Sequence, residues 1–215
     1  MSWLTAAIYD ATLYPAERAC LADWRSELLG GLRGNVLELG AGTGANLDHY
    51  PASVSSVTLV EPDRATRHHL ERKVSLGARS DRVTLLPAPA VAESLSVESG
   101  SFDAVVATLV LCSVKDVERT LLEARRVLRH GGTLALIEHV GAKERTVRRR
   151  WQTWLEPVWS AVSGGCHLLR DPRVAIERAG FEPVRVEERE LRGVPGFIKS
   201  AFVGTWKVGS RATTR

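Results

Sequence analysis

Apolar positions follow two rhythms along this chain. Short, nearly unbroken runs at residues 35–39, 57–60, 82–86, 102–108 and 133–137 read as strands. The fourth is apolar throughout its middle, as a strand covered on both faces should be. Between them lie longer segments with helical spacing. Pro15 to Leu29 puts Cys20, Leu21, Trp24 and Leu28 on one face and ends at Gly30-Gly31. A helix is predicted from about Thr43 to Tyr50, stopped by Pro51. Asp63 caps the next, which runs to Leu76 and closes at Gly77. Lys115 to Leu128 faces Val117, Leu121, Ala124 and Leu128 inward, and Gly131-Gly132 turns the chain into the fifth strand. Such alternation predicts an α/β fold with right-handed crossovers and a doubly wound, mostly parallel sheet.

The pattern then changes. Glu144 to Val162 reads as a helix carrying Trp151, Trp154 and Trp159, with Pro157 as a kink. Gly164-Gly165 breaks it. A short helix starts at Asp171-Pro172 and ends at Gly180. Residues 182–189 and 201–208 read as two last strands. The expected organisation is a single domain over 1–215: an N-terminal helical segment (1–32), a core (33–140), a helical cap over the carboxyl edge of the sheet (141–180) and C-terminal strands (181–215).

Composition narrows the picture. The 215 residues are 44% hydrophobic, enough for one full core. No apolar run approaches the ~18 residues that span a bilayer, and Met1 to Thr5 lacks a signal peptide's basic start. Cys20, Cys112 and Cys166 are odd in number and far apart, which argues against a disulfide framework and for a reducing cytoplasm. Net charge is +4, from 29 basic and 25 acidic residues, with most of the excess between Lys143 and Arg150. That stretch reads as a solvated helix face. Docking on anionic lipid is the competing reading. No nucleic-acid-binding signature accompanies the charge. A monomer or a homodimer is expected.

The chemistry concentrates in Val36-Leu37-Glu38-Leu39-Gly40-Ala41-Gly42-Thr43-Gly44, a strand that enters a glycine turn. Gly40, Gly42 and Ala45 also satisfy the looser dinucleotide fingerprint. Three details separate the readings. Glu38 sits at the end of an apolar strand, where a carboxylate repels a phosphate but suits an ammonium or a sulfonium. Glu61 ends the second strand, 21 residues past Gly40, where a carboxylate can accept ribose hydroxyls. Gly44 completes the tighter G-x-G-x-G form. In the loop 87–96, Val91 and Leu95 can sandwich an adenine, with the Ala92 amide and Glu93 as polar contacts.

These segments resemble, as a set, a class I S-adenosylmethionine (SAM)-dependent methyltransferase of the ubiquinone/menaquinone type (type 11). The set is Glu38 to Gly44, Val60-Glu61-Pro62-Asp63, Ser101-Phe102-Asp103 and Arg126 to Gly132. A narrower resemblance, to the thiol S-methyltransferase (methyltransferase-like protein 7) branch, rests on Thr108 to Val114, Ile137-Glu138-His139-Val140, and the stretch from Trp151 to Asp171. It implies a Rossmann-like seven-stranded sheet of order 3-2-1-4-5-7-6, SAM as cofactor, S-adenosylhomocysteine as product, and a small-molecule methyl acceptor, foremost a thiol sulfur. Two departures stand out. Val91 replaces an aspartate that many relatives use on the adenine, and the hydrophobic anchor that begins the animal members is missing from the sequence.

The resemblance assigns cofactor binding to Tyr9, Glu38, Gly40, Ala41, Gly42, Gly44, Asn46, Glu61, Pro62, Val91, Ala92, Thr108 and Leu109. Tyr9 would close over the amino-acid end, and Asn46, in the first turn of the helix after the loop, would bind the carboxylate. His139 is the candidate base on the main sheet and His167 a second one on the cap. Cys112, Trp154, Cys166 and Arg170 are candidate acceptor contacts. Cys166-His167 has no further Cys/His cluster, so no metal is expected. Four alternatives remain: methylation of oxygen, nitrogen or carbon on a metabolite or quinone, methylation of a lipid head group, a non-catalytic SAM-binding protein, and an NAD-type oxidoreductase.

Overall fold

Seven strands form one sheet in the order β3-β2-β1-β4-β5-β7-β6 in the computed structural model, which describes residues 14–77 and 80–209. They are β1 (Gly34–Leu39), β2 (Val54–Val60), β3 (Val83–Leu85), β4 (Phe102–Thr108), β5 (Leu128–His139), β6 (Phe181–Glu190) and β7 (Ser200–Val208). β1 to β5 pair in parallel, and β7 runs antiparallel between β5 and β6. Among the described residues, these helices accompany the sheet: α1 (Ala22–Leu29), α2 (Arg64–Leu76), α3 (Val117–Val127), α4 (Val147–Val162) and α5 (Arg173–Arg178). A wide π-turn, Glu17–Leu21, leads into α1.

Two apolar clusters account for this arrangement, one on each face of the sheet. Leu37, Val105, Leu134 and Phe202 bury against α3 and α5 on one side. Val36, Val106, Ala135 and Ile137 bury against α1 on the other. Alternate strand residues thus serve opposite faces, which is why the central strands are apolar without interruption. Asp63 caps α2 as expected, accepting from the Thr66 amide at 3.0 Å. Asp116 caps α3 in the same way through the Arg119 amide at 2.9 Å.

The structure corrects two local expectations. The helix predicted from Thr43 to Tyr50 is a run of turns with a single 3-10 turn, Leu47–His49. Gly40, Gly42 and Gly44 all have positive φ (58°, 57° and 83°), which holds the chain out of the right-handed helix just where that helix would begin. β5 starts at Leu128, ahead of the glycine pair. Gly131-Gly132 lies in a bulge, since Phe102 pairs with Leu128 while Ala104 pairs with Thr133. α4 runs without interruption through Pro157.

The strand order reverses between β1 and β4. In open α/β sheets, ligands bind in the crevice outside the strands' carboxyl ends at such a switch point. Glu38, Gly40 to Gly44, Glu61 and Thr108 all lie at that edge.

Candidate active site

Glu38 ends β1 completely buried, and the neighbouring chain satisfies it. Its Oε1 accepts from Asn46 Nδ2 at 2.9 Å and its Oε2 from the Tyr50 hydroxyl at 2.7 Å. Burial pushes its pKa up from 4.5 to about 7, against the lowering effect of those two donors and of Arg25. Arg25, on α1, is the buried cation of this floor. Its Nη1 donates to Asn46 Oδ1 at 2.7 Å and to Thr108 Oγ1 at 2.8 Å, and its Nε reaches Glu17 Oε1 at 3.0 Å. Asn46 and Thr108 are therefore members of the floor network. Asn46 sits in a turn ahead of the 3-10 turn, with its amide closed on Glu38 and Arg25, so the expected carboxylate site in a first helical turn does not form.

Glu61, at the end of β2, turns back over the glycine loop. Its Oε2 accepts the Gly42 amide and its Oε1 the Asp63 amide, each at 2.8 Å. Burial raises its pKa, and these two amides and Arg67 oppose the rise. Two further loop amides are also taken: Ala41 N–H bonds Val60 O, and Gly44 N–H bonds Ala41 O. A Cβ on Gly40 would stand 2.6 Å from Val110 Cγ2, whereas one on Gly42 would meet nothing closer than the Gly40 carbonyl at 4.0 Å. Gly40 thus permits the close approach of the β4 loop, and Gly42 keeps the space above the turn open. Pro62 is exposed beside Glu61. Val91 is exposed, while Ala92 and Leu95 are buried against the main core. Glu93 takes the Lys115 amide at 2.9 Å. Tyr9 lies outside the described residues.

Past β4, Leu109 has φ of 60°, a left-handed backbone that a side chain resists. Glu138 secures this bend. Its Oε1 accepts the amides of Val110 and Leu111 at 2.9 and 2.8 Å, and its Oε2 has no partner among the described residues. Burial raises its pKa well above the usual carboxylate range. Neither Arg25 nor Glu138 was singled out from the sequence as a site residue. Arg25 reads as one more helix residue, and Glu138 only as part of a family motif.

The structure separates the two histidines. His139 is buried, both its ring nitrogens lack partners among the described residues, and desolvation lowers its pKa to about 4. It stays neutral and is a weaker proton acceptor than a solvated imidazole. His167, on the cap, keeps a half-exposed side chain. Its Nδ1 lies 2.8 Å from Glu156 Oε1, and Glu156 Oε2 accepts the Leu168 amide at 2.7 Å. A carboxylate only accepts, so Nδ1 carries the proton and Nε2 presents its lone pair. The His167 amide also bonds Cys112 O at 2.9 Å, tying the cap to the β4 loop.

The expected acceptor contacts fall in two places, three at the joint of cap and sheet and one on the surface. Cys112 and Cys166 are both buried, with Cys112 held protonated by its contact with Cys166 and by burial. They pack the cap onto the sheet edge. Arg170 donates to the carbonyls of Leu111 and Val114 at 2.8 and 2.7 Å and so clamps the β4 loop. Trp154 is exposed. Gln152 and Glu156, two residues to either side, point inward; at ~100° per residue, Trp154 faces the opposite way. A concavity of about 460 Å³ beside Tyr50, Val57, Lys73 and Val83 lies behind the β2–β3 edge, away from Glu61 and the cap. Among the described residues, no group of three His, Cys, Asp or Glu can hold a metal.

This fold and site define a class. The family model described as a methyltransferase domain matches residues 14–186, and the chain belongs to that family. Human thiol S-methyltransferase TMT1A is 39% identical over 154 residues, covering 71% of this chain and 62% of its own length. The chain thus spans about three fifths of that relative. Among solved structures, geranyl diphosphate methyltransferase in complex with SAM superposes with a TM-score of 0.72 at 15% identity, over 94% of this chain and 90% of that one. The [4+2]-cyclase SpnF superposes at 0.68 with 19% identity, over 88% and 80%. Likeness at that level shows the fold alone, and the cyclase illustrates how one fold serves different chemistry.

Proposed function

We propose that this protein transfers the methyl group of SAM to a small acceptor, foremost a thiol. One observation carries the choice of cofactor: the Glu61 carboxylate occupies the Gly42 amide of the glycine turn, where a pyrophosphate would need a free donor, above a floor that carries Glu38. A phosphate-bearing dinucleotide would meet a carboxylate in place of the Gly42 amide there. A sulfonium nucleoside fits: Glu61 would hold the ribose hydroxyls, Glu38 would face the ammonium, and Val91, Ala92 and Leu95 would flank the adenine. SAM, when bound, supplies an electrophilic methyl that leaves the sulfonium in a single displacement.

The chain's own residues then have three tasks. The strained Leu109 bend, fixed by Glu138, shapes the end of β4 where the acceptor must align. Arg170 and the buried Cys112–Cys166 contact hold the cap over that edge. His167 takes the acceptor's proton at Nε2, while Glu156 fixes the ring and stabilises the imidazolium. A thiol, with an ordinary pKa of about 8.5, needs only this modest help. The thiol reading also draws on the 39% identity to the human thiol S-methyltransferase.

The test is a screen of small thiols, phenols and amines with SAM, read by mass spectrometry as a gain of one methylene. Thiols gaining the methylene in preference to phenols and amines support the reading. Turnover of phenols or amines alone moves the acceptor to oxygen or nitrogen. Binding of SAM without turnover of any acceptor contradicts the enzyme.

A further inference from the structure

α4 is amphipathic in an unusual sense: its apolar face points at solvent. Val147, Trp151, Trp154, Val158 and Val162 follow one another at steps of four, three, four and four residues, and all five are exposed. That spacing lines them along one stripe. Trp151 and Trp154 stack edge to face with centroids 5.8 Å apart. Polar anchors lie on the inner face. Gln152 accepts the Ala142 amide and donates to Phe197 O, both at 2.8 Å, and Trp159 packs on Phe197. The stripe therefore has no counterpart in the described chain. An apolar stripe with two exposed tryptophans marks an interaction surface.

Charge indicates what covers it. Lys143, Arg145, Arg148, Arg149 and Arg150 surround the N-terminal turn of α4 against a single acid, Glu144, and the turn itself contains none. Cations at a helix N-terminus oppose the macrodipole, so the helix itself gains nothing from them. Arg148 is occupied by Glu190 and Arg149 by Leu169 O, and Lys143 makes only an exposed 3.5 Å pair with Glu188, which lipid phosphate can replace. Arg145 and Arg150 have no ion pair among the described residues. The only acid within α4 is Glu156, turned inward onto His167. A second copy of this chain docking through α4 would bring the basic end no opposing charge. An anionic bilayer supplies both an apolar layer for the stripe and negative head groups for the rim.

We propose that α4 is an interfacial helix that lies on anionic membrane surfaces, with Trp151 and Trp154 in the head-group layer and Lys143, Arg145 and Arg150 on the lipid charges. This is docking, not spanning: no helix among the described residues is long and apolar enough to cross a membrane. It reverses the solvated-face reading of the basic stretch.

Flotation of the full chain tests it, with vesicles of phosphatidylcholine alone and of phosphatidylcholine with about one part in three phosphatidylserine. Two variants accompany the wild type: Trp151→Ser with Trp154→Ser, and Lys143→Gln with Arg145→Gln and Arg150→Gln. All five side chains are exposed, so the far-UV circular dichroism should match the wild type. The wild type should float with the serine-lipid vesicles only, and its tryptophan emission should shift to the blue. The charge variant should lose roughly fivefold in partition per removed cation, and the tryptophan variant should lose both flotation and the emission shift. A wild type that stays in the aqueous fraction overturns the proposal. So does flotation that neither variant weakens, or a dimer in sedimentation that Trp154→Ser abolishes while lipid has no effect.

Discussion

The Glu61 carboxylate, at the end of β2, accepts the Gly42 amide at 2.8 Å in the glycine turn that follows β1. One acid thus occupies the amide that a phosphate would require, and its position at the end of β2 makes it the natural ribose acceptor. Glu61→Ala should weaken SAM binding by about ten- to a hundredfold, the value of one or two hydrogen bonds to a charged group. Isothermal calorimetry reads it. Unchanged affinity would mean that the nucleoside lies elsewhere.

Gly40 and Gly42 differ in what surrounds them, and their alanine variants should differ accordingly. Both positions carry positive φ, which costs a side chain about 1–2 kcal/mol. Gly40→Ala also drives a Cβ to 2.6 Å from Val110, so its loss of stability should exceed that of Gly42→Ala in urea unfolding. Gly42→Ala should stay folded and lose SAM affinity, because its Cβ projects into the open space above the turn. Equal stability for the two variants would contradict this assignment.

Glu38 makes stability depend on pH. Its pKa is raised on folding, from 4.5 to about 7, so the stability of its neutral form is present below pH 4.5 and lost as pH rises through about 7. Glu38→Gln keeps an acceptor for Asn46 and a partner for Tyr50 but cannot ionise. Relative to the wild type, it should therefore gain roughly 3 kcal/mol between acid and mildly alkaline pH, at ~1.4 kcal/mol per unit. A ligand ammonium beside Glu38 favours the carboxylate, so SAM binding below pH 7 should release a proton. Calorimetry in buffers of different ionisation enthalpy measures that release. Parallel unfolding curves for the two proteins would rule out a titrating Glu38.

The two histidines predict opposite outcomes. His139→Leu removes two unpartnered ring nitrogens from the core, so stability should be held or raised and turnover kept. His167→Ala should lower kcat by about 10²–10⁴-fold. Glu156→Gln should lower kcat more than it changes KM. If His139→Leu abolishes turnover and His167→Ala does not, the roles are exchanged.

What the sequence made legible was local. The five parallel strands, the glycine turn, Glu38, Glu61 and the Asp63 cap each declare themselves within a few residues, and all are in the structure. What it hid depends on distance along the chain. Arg25 becomes a floor residue only because Asn46 and Thr108 arrive from 21 and 83 positions away. Glu138 fixes the Leu109 bend through amides 27 and 28 positions off. The helix expected after the turn was lost to backbone geometry at Gly44, which composition alone does not reveal. Trp154 was misplaced because periodicity gives a helix two faces without saying which one is covered.

Competitive calorimetry with SAM, S-adenosylhomocysteine and NAD on the unmodified chain bears most directly on the carboxylate-filled turn. Micromolar binding of both adenosyl compounds, with no heat from NAD, is the expected result. Tight binding of NAD, or no binding of either adenosyl compound, would contradict it.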